Sequence, residues 1–461
     1  MRIDLPVDLQ GAQELADLFG AIFVIKGDAP RAICGISTDT RELCEGDLFL
    51  ALRGERTNGA LFLQEALNKG ASALLVSSEV ALPCGNYCAL VCEDCETALL
   101  RAAGEYRRRI GARVVAITGS AGKTTAKEAI SSVLGGVPHN AENYNSSIGM
   151  PLSVLSFPKA DVWVCEFGIN HVGEMERMSR ALSPDVALIT NVGDAHIGNF
   201  GNYLTLATEK LMIAKGIRDG GFLLVPSELK EHCVPSTAYR TFTFGERAEL
   251  GVENIFMDQK GVRCDFCTSE RVITNLAWPV AGRIGLGVIA ACAAVGFLFG
   301  RSDQQIRMGL VRAGAQAPRM KSFCVSERLV LEDCYNASPR AVVAAMESLR
   351  YMAAGRACVA VLGDMLELGA HSRSLHYELG EELVHCGVGA LFTCGCAAYE
   401  IARGALHAGM PASLVHCFAG EEIEELANAV WQKTPRNCAI LIKASHAMHF
   451  ERVGEALRRM S

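Results

Sequence analysis

Thr118-Gly-Ser-Ala-Gly-Lys-Thr-Thr125 follows directly on the apolar run Val114–Ile117 and leads into a helical stretch from about Thr124. Glycines let a backbone turn tightly and aim its N–H groups at one point, and the start of a helix adds partial positive charge there. In such a loop Lys123 reaches the β and γ phosphates of a nucleotide, and the Thr124 hydroxyl is placed to hold Mg²⁺. Gly119, Ser120, Ala121, Gly122 and Thr125 make up the rest of the cradle. Ile117 stands where the full G-x-x-x-x-G-K-[ST] form has its first glycine. The loop predicts ATP or GTP and leaves the reaction open.

Three further residues sit where an open α/β sheet binds ligands, beyond the C-terminal ends of strands. Glu166 ends the run Val162–Cys165, and its carboxylate could hold Mg²⁺ directly or through water. Taken alone, a strand-end Glu reads at least as well as a salt-bridge partner. His196 closes Thr190-Asn-Val-Gly-Asp-Ala-His196, just after the run Val186–Ile189. It is a candidate ligand, or a loop histidine bonded to backbone. Lys210 follows on a helical stretch, and composition does not separate it from any solvated lysine.

The elements that must position these residues recur along the chain. Residues 33–110 alternate strand-like and helical runs: Asp47–Leu52 and Ala73–Val76 read as strands, and Leu61–Lys69 has helical spacing. Arg107–Arg113 is a charged, Gly-containing stretch that predicts a boundary near 110. Val114–Ile117, Val162–Cys165, Val186–Ile189 and Phe222–Val225, separated by helical stretches, predict a mostly parallel sheet with helices on both faces. Ala313–Pro318 reads as a second hinge. Beyond it Leu329–Leu331, Ala357–Leu362, Ala390–Phe392 and Ala439–Ile442 predict a Rossmann-like unit. The expected class is α/β in three domains: 1–110, a small α/β unit; 111–316, with a P-loop ATPase-like parallel sheet; and 317–461.

Composition bounds the function. A chain of 461 residues, half apolar and 21% charged, is a multidomain globular protein and not a disordered one. Its net charge of −7 offers no basic field to a nucleic acid. The apolar run Val288–Gly300 falls short of the roughly 18 residues of a membrane span and reads as a buried helix. The start MRIDLPVDLQ does not resemble a signal peptide. Nineteen scattered cysteines, including Cys92-x-x-Cys95 and Cys394-x-Cys396, suit a reducing compartment and show no zinc spacing. A cytoplasmic monomer without nucleic-acid or membrane partners is expected.

The loop at Thr118–Thr125, Glu166-Phe-Gly168, Thr190–His196 and Lys210 together resemble the central domain of the Mur ligases in order and spacing. The resemblance implies that Thr124, Glu166 and His196 hold Mg²⁺, and that Lys210 is carbamylated and becomes a further metal ligand. Lys123, Glu166, His196 and Lys210 are then the catalytic set. Asp333-Cys-Tyr-Asn-Ala-Ser-Pro339, Leu362-Gly-Asp-Met-Leu-Glu-Leu-Gly369, His376 and Lys443-Ala-Ser-His446 resemble the members that add D-alanyl-D-alanine to a UDP-N-acetylmuramoyl-tripeptide. Ser37–Arg41, Gly46–Phe49 and Gly54 resemble a UDP-sugar domain, and Asn143-Tyr-Asn145 with Gly149–Pro151 a central substrate loop. By resemblance Arg319, Asp333 and Asn336 reach the nucleotide, while Thr40, Arg41, Asn143, Asn145, Lys443 and Ser445 contact the substrates.

The chain also departs from that pattern. The family's G-[RK]-H-N-x-x-N segment, which helps hold adenine, is Gly282-Arg-Ile-Gly-Leu-Gly-Val288 here. D-G-H is Asn58-Gly-Ala60, G-R is Pro318-Arg319, and S-R is Ser445-His446. A sister acid–amino-acid ligase, including the folylpolyglutamate type, and a non-catalytic nucleotide-binding descendant are the alternatives.

Overall fold

The computed structural model describes residues 1–27, 32–54, 57–141, 144–193, 197–316, 320–420 and 422–460. Three sheets follow one another along the chain. The first is built from β1 (Arg2–Asp4), β2 (Ile22–Lys26), β3 (Gly35–Ser37), β4 (Leu48–Leu50), β5 (Ala73–Ser77) and β6 (Tyr87–Cys92) in the order β1-β3-β4-β5-β6-β2. Its inner strands β3 to β6 are parallel, and β1 and β2 flank them antiparallel.

The central sheet contains β7 (Arg113–Thr118), β8 (Val162–Glu166), β9 (Val186–Ile189), β10 (Gly221–Pro226), β11 (Tyr239–Glu246), β12 (Leu250–Asp258), β13 (Gly261–Cys267) and β14 (Val272–Trp278). The order is β14-β13-β12-β11-β10-β9-β7-β8. Strands β7 to β12 pair in parallel, and β8, β9 and the apolar run of β7 are buried throughout. Burial on both faces is why they read as unbroken apolar runs. The sheet is mostly parallel, as expected, and its parallel part ends at β12. Beyond it β12, β13 and β14 form an antiparallel meander, whose residues alternate between core and solvent, a weaker signal in sequence. Gly261 opens β13 directly after the turn from β12, with φ of 119°, and a Cβ there would lie 2.0 Å from the Trp278 carbonyl oxygen. Only glycine accepts that conformation and that approach.

The third sheet comprises β15 (Lys321–Val325), β16 (Arg328–Glu332), β17 (Ala357–Gly363), β18 (Ala390–Cys394), β19 (Val415–Phe418) and β20 (Cys438–Lys443). It runs β15-β16-β20-β17-β18-β19 and is parallel apart from β15.

Two stretches expected as breaks are partly helical. Arg107, Arg108 and Arg109 form the last turn of the helix Cys95–Ile110, where cations suit the negative end of the helix dipole. Asp94 caps its start through Thr97 N at 2.7 Å, and Gly111, with φ of 74°, ends it. Both are ordinary helix caps. Tyr106 of this helix stacks on Trp163 and donates to the Phe157 carbonyl at 2.8 Å, so one apolar core runs from Ile3 to Leu229. Ala313–Gln316, expected as a hinge, completes the helix Asp303–Gln316, while Pro318 lies outside the described residues. The helix Gly282–Leu298 is buried along most of its length, as its small residues predict. It packs on the helix Pro339–Ala353, and a second core spans the central and third sheets. No helix among the described residues is long and apolar enough to cross a membrane.

Candidate active site

Thr118–Thr125 occupies the turn between β7 and the helix Lys123–Val133, one residue earlier than the expected start. Gly119 and Gly122 have φ of 149° and 76°, conformations that glycine adopts without strain. The turn is tied to the end of β9. Ala121 N donates to Asn191 Oδ1 at 2.9 Å, Ser120 N donates to the Asn191 carbonyl at 3.0 Å, and Thr190 Oγ1 donates to the Ala121 carbonyl at 2.7 Å. Ser120 Oγ and Gly193 exchange two hydrogen bonds, one donated by Gly193 N at 2.9 Å. A Cβ on Gly119 would stand 2.0 Å from Thr190 Oγ1, so only glycine permits this approach.

Glu166, at the end of β8, meets the loop from the other side. Its carboxylate accepts from Thr124 Oγ1 at 2.8 Å and from Asn145 Nδ2 at 2.9 Å. Lys127 Nζ lies 3.6 Å away and donates to the Asn140 carbonyl at 2.7 Å. Burial alone would push this carboxyl upward, but Lys123, Lys127 and the two hydrogen bonds hold it below the usual carboxylate range. An ionised carboxylate beside a threonine hydroxyl is a hard oxygen-donor pair that fits Mg²⁺.

Lys210, on the helix Tyr203–Leu211, is only 1% exposed and donates to the Gly119 carbonyl at 3.1 Å. Lys123 Nζ donates to the same carbonyl at 2.8 Å. Burial and the charge of Lys123 push the Lys210 amine well below the ordinary lysine range, with a smaller opposing effect from Glu209. Burial and the Lys123 charge both favour the neutral amine over the ammonium.

The fold thus gathers Lys123, Thr124, Glu166, Lys210 and Asn145 around one loop. His196, Asn143 and Arg319 lie outside the described residues. A second cluster forms at the ends of β16 and β20. There Lys443, 2% exposed, is paired with Asp333 and donates to the Asn336 carbonyl at 2.7 Å. Ser445 Oγ accepts from Leu366 N at 2.9 Å. His376 is buried, with Nε2 accepting from Met365 N at 3.0 Å, and so shapes the Leu362–Gly369 turn. Thr40 and Arg41 follow β3 in the first sheet. The Thr40 carbonyl accepts from Lys69 at 2.8 Å, and Arg41 is exposed and paired with Asp39.

Four residues of the loop's surroundings had no role in the sequence reading: Lys127, Asn140, Thr190 and Asn191. Thr190 and Asn191 lie inside a recognised motif, and Lys127 falls one turn after Lys123, but nothing local says that it is fully buried.

Matches to known proteins cover nearly the whole chain. Residues 32–116 match the Mur ligase family, catalytic domain; residues 117–296 the Mur ligase middle domain; and residues 318–446 the Mur ligase, glutamate ligase domain. The UDP-N-acetylmuramoyl-tripeptide–D-alanyl-D-alanine ligase of Bacillus subtilis is 31% identical, over 91% of this chain and 92% of its own. The Escherichia coli ligase of the same name is 32% identical over 79% and 82%. A crystal structure of MurF from Acinetobacter baumannii superposes with a TM-score of 0.85 at 27% identity, covering 97% of this chain and 98% of that one. With the phosphate loop in place, these matches establish that the chain belongs to the Mur ligase family and is an ATP-dependent ligase.

Proposed function

We propose that this ligase joins D-alanyl-D-alanine to UDP-N-acetylmuramoyl-tripeptide in the cytoplasm, as a step of peptidoglycan precursor synthesis. The observation that carries the chemistry is the pairing of Lys123 and Lys210 on one phosphate-loop carbonyl, opposite an ionised Glu166. The names of relatives that align over most of the chain support the choice of substrates.

A carboxylate is a poor acyl donor because its leaving group would be oxide. Its attack on the γ phosphorus of ATP breaks the bond to the bridging oxygen, giving an acyl phosphate and ADP. The amine of the dipeptide then attacks the acyl carbon, inorganic phosphate leaves, and one proton is lost from nitrogen. Such transfers depend on positioning and on charge placed where it develops. The loop N–H groups and Lys123 would orient the β and γ phosphates. Thr124, Glu166, His196 and a carbamylated Lys210 would hold Mg²⁺, which neutralises phosphate charge when bound. Carbamylation joins the neutral Lys210 nitrogen to CO₂ with loss of a proton, turning a cation into an oxygen donor.

Residues 1–110 would bind the UDP moiety through Thr40 and Arg41, 111–316 the nucleotide, and 317–461 the dipeptide, with Asn143 and Asn145 on the tripeptide. Arg319, Asp333 and Asn336 would approach the nucleotide from the third domain, with Lys443 and Ser445 beside the dipeptide. ADP release measured with each acceptor separately and together tests the reading. Turnover that requires both UDP-tripeptide and D-alanyl-D-alanine is expected. Turnover with a single amino acid in place of the dipeptide would assign a sister ligase.

A further inference from the structure

The segment that secures the phosphate loop, Thr190–Gly193, is also touched from the third domain. Arg340, second residue of the helix Pro339–Ala353, donates from Nη1 to the Val192 carbonyl at 3.3 Å. Its guanidinium carbon lies 5.7 Å from the centre of the Tyr203 ring. Gly193 is sandwiched: a Cβ built on it would stand 3.4 Å from Arg340 Cδ and 3.5 Å from Ser120 Cβ. A cation in the first turn of a helix opposes the helix dipole, so this position does not serve the helix itself. A separate contact lies nearby in the chain. A Cβ on Gly198 would stand 2.6 Å from Gly369 N, so the backbones of the two domains meet with no room for a side chain.

We propose that Arg340 is a positioning residue for phosphoryl transfer, holding Thr190–Gly193 against the phosphate loop while the third domain is docked. The inference rests on the chain's being an ATP-dependent ligase. The route is a chain of contacts: Arg340 to Val192 O, Gly193 to Ser120, and Asn191 to Ser120 and Ala121. Undocking removes the first contact and leaves the loop geometry less restrained. Arg340 would then make transfer conditional on the presence of the domain that brings the acceptor.

Full-length Arg340→Ala and Arg340→Lys test this through kinetics and amide hydrogen exchange. Arg340→Ala should lower kcat at least about tenfold, with the KM for the UDP substrate within about twofold and Tm within about 2 °C of the parent. Arg340→Lys should recover part of kcat, because an ammonium can still donate to Val192 O but lacks the planar guanidinium that stands over Tyr203. Exchange of the Ser120 and Gly193 amides should quicken in Arg340→Ala without any substrate present. Unchanged kcat, or a loss that follows a fall in Tm and is not restored by lysine, would overturn the proposal. Unchanged exchange at Ser120 and Gly193 would overturn it as well, and that readout holds even if the substrates were assigned wrongly. Absence of ADP release in the parent protein would instead reject the assigned substrates.

Discussion

Lys210 and Lys443 are both almost fully buried near functional motifs, yet their surroundings differ in kind. Lys443 has a carboxylate, that of Asp333, together with the Asn336 carbonyl. Lys210 shares the Gly119 carbonyl with a second lysine, and burial and that neighbour disfavour its charge. A buried ammonium is costly unless paired: Lys443 has a carboxylate partner, whereas the surroundings of Lys210 favour the neutral amine over the ammonium. The same side chain is paired with a carboxylate in one domain and shares a carbonyl with a second lysine in the other. The partners decide, and they come from distant parts of the chain.

The comparison is broken most severely at Lys210. Lys210→Ala should reduce turnover by about 10³ or more, the scale of losing a group aimed at developing charge. Small carboxylates added to this variant should restore part of the activity by supplying oxygen donors. Lys210→Arg should stay inactive, because guanidinium remains charged and cannot add CO₂. An active arginine variant in a steady-state assay would mean that the residue serves only as a positive charge.

At Lys443 the expected loss is in stability. Lys443→Met leaves Asp333 as an uncompensated, largely buried carboxylate, at a cost of about 3–5 kcal/mol. Denaturant unfolding measures this, and the double variant with Asp333→Asn should regain a large part of it. Equal stabilities for the single variant and the parent would remove Lys443 from its role as a tie.

Lys123→Ala tests the other half of the shared carbonyl. Turnover should fall by at least about 10², corresponding to roughly 3 kcal/mol of phosphate contact, with the fold retained. Lys210 should also become easier to protonate, since a neighbouring cation is gone. Activity of this variant should therefore respond more strongly to added bicarbonate than that of the parent. Near-normal turnover would take the loop out of the mechanism.

The smallest effect is on stability against pH. The folded pKa of Lys210 is depressed, so above that value the amine is neutral when folded and takes up a proton on unfolding. The unfolded state then binds more protons, and stability rises with pH between the depressed value and the ordinary lysine value near about 10.4. Across that window the parent should gain stability relative to Lys210→Met as pH rises, with a slope of up to about 1.4 kcal/mol per pH unit, in buffers free of bicarbonate. Parallel stability curves for the two proteins would show that Lys210 stays charged when folded.

The parallel cores and the phosphate loop were legible in sequence because each is a local pattern. Val114–Ile117 and Val186–Ile189 are buried on both faces and need no alternation to be read. The glycines and Lys123 of the loop act through the backbone they themselves shape. The meander β12 to β14 was harder to read, because its strands alternate and carry turns at Gly261 and near Thr268 that resemble ordinary loops. Arg107–Arg109 read as a break because charge in a last helical turn looks the same in sequence as charge in a linker.

The sequence by itself determined which groups could do chemistry: a phosphate loop, a strand-end Glu166, and a lysine at position 210 in a family's order. Only the tertiary structure decided the state of those groups. It removed Lys210 from water, set Lys123 on the same carbonyl, and placed a fully buried Lys127 beside Glu166. It also packed Gly282, at the start of the segment where the family reads adenine, against Ser348 of the third domain, and buried Val288 in the core. Charge state and access depend on the field and solvent around an atom, and these are set by residues that are neighbours in space and not along the chain.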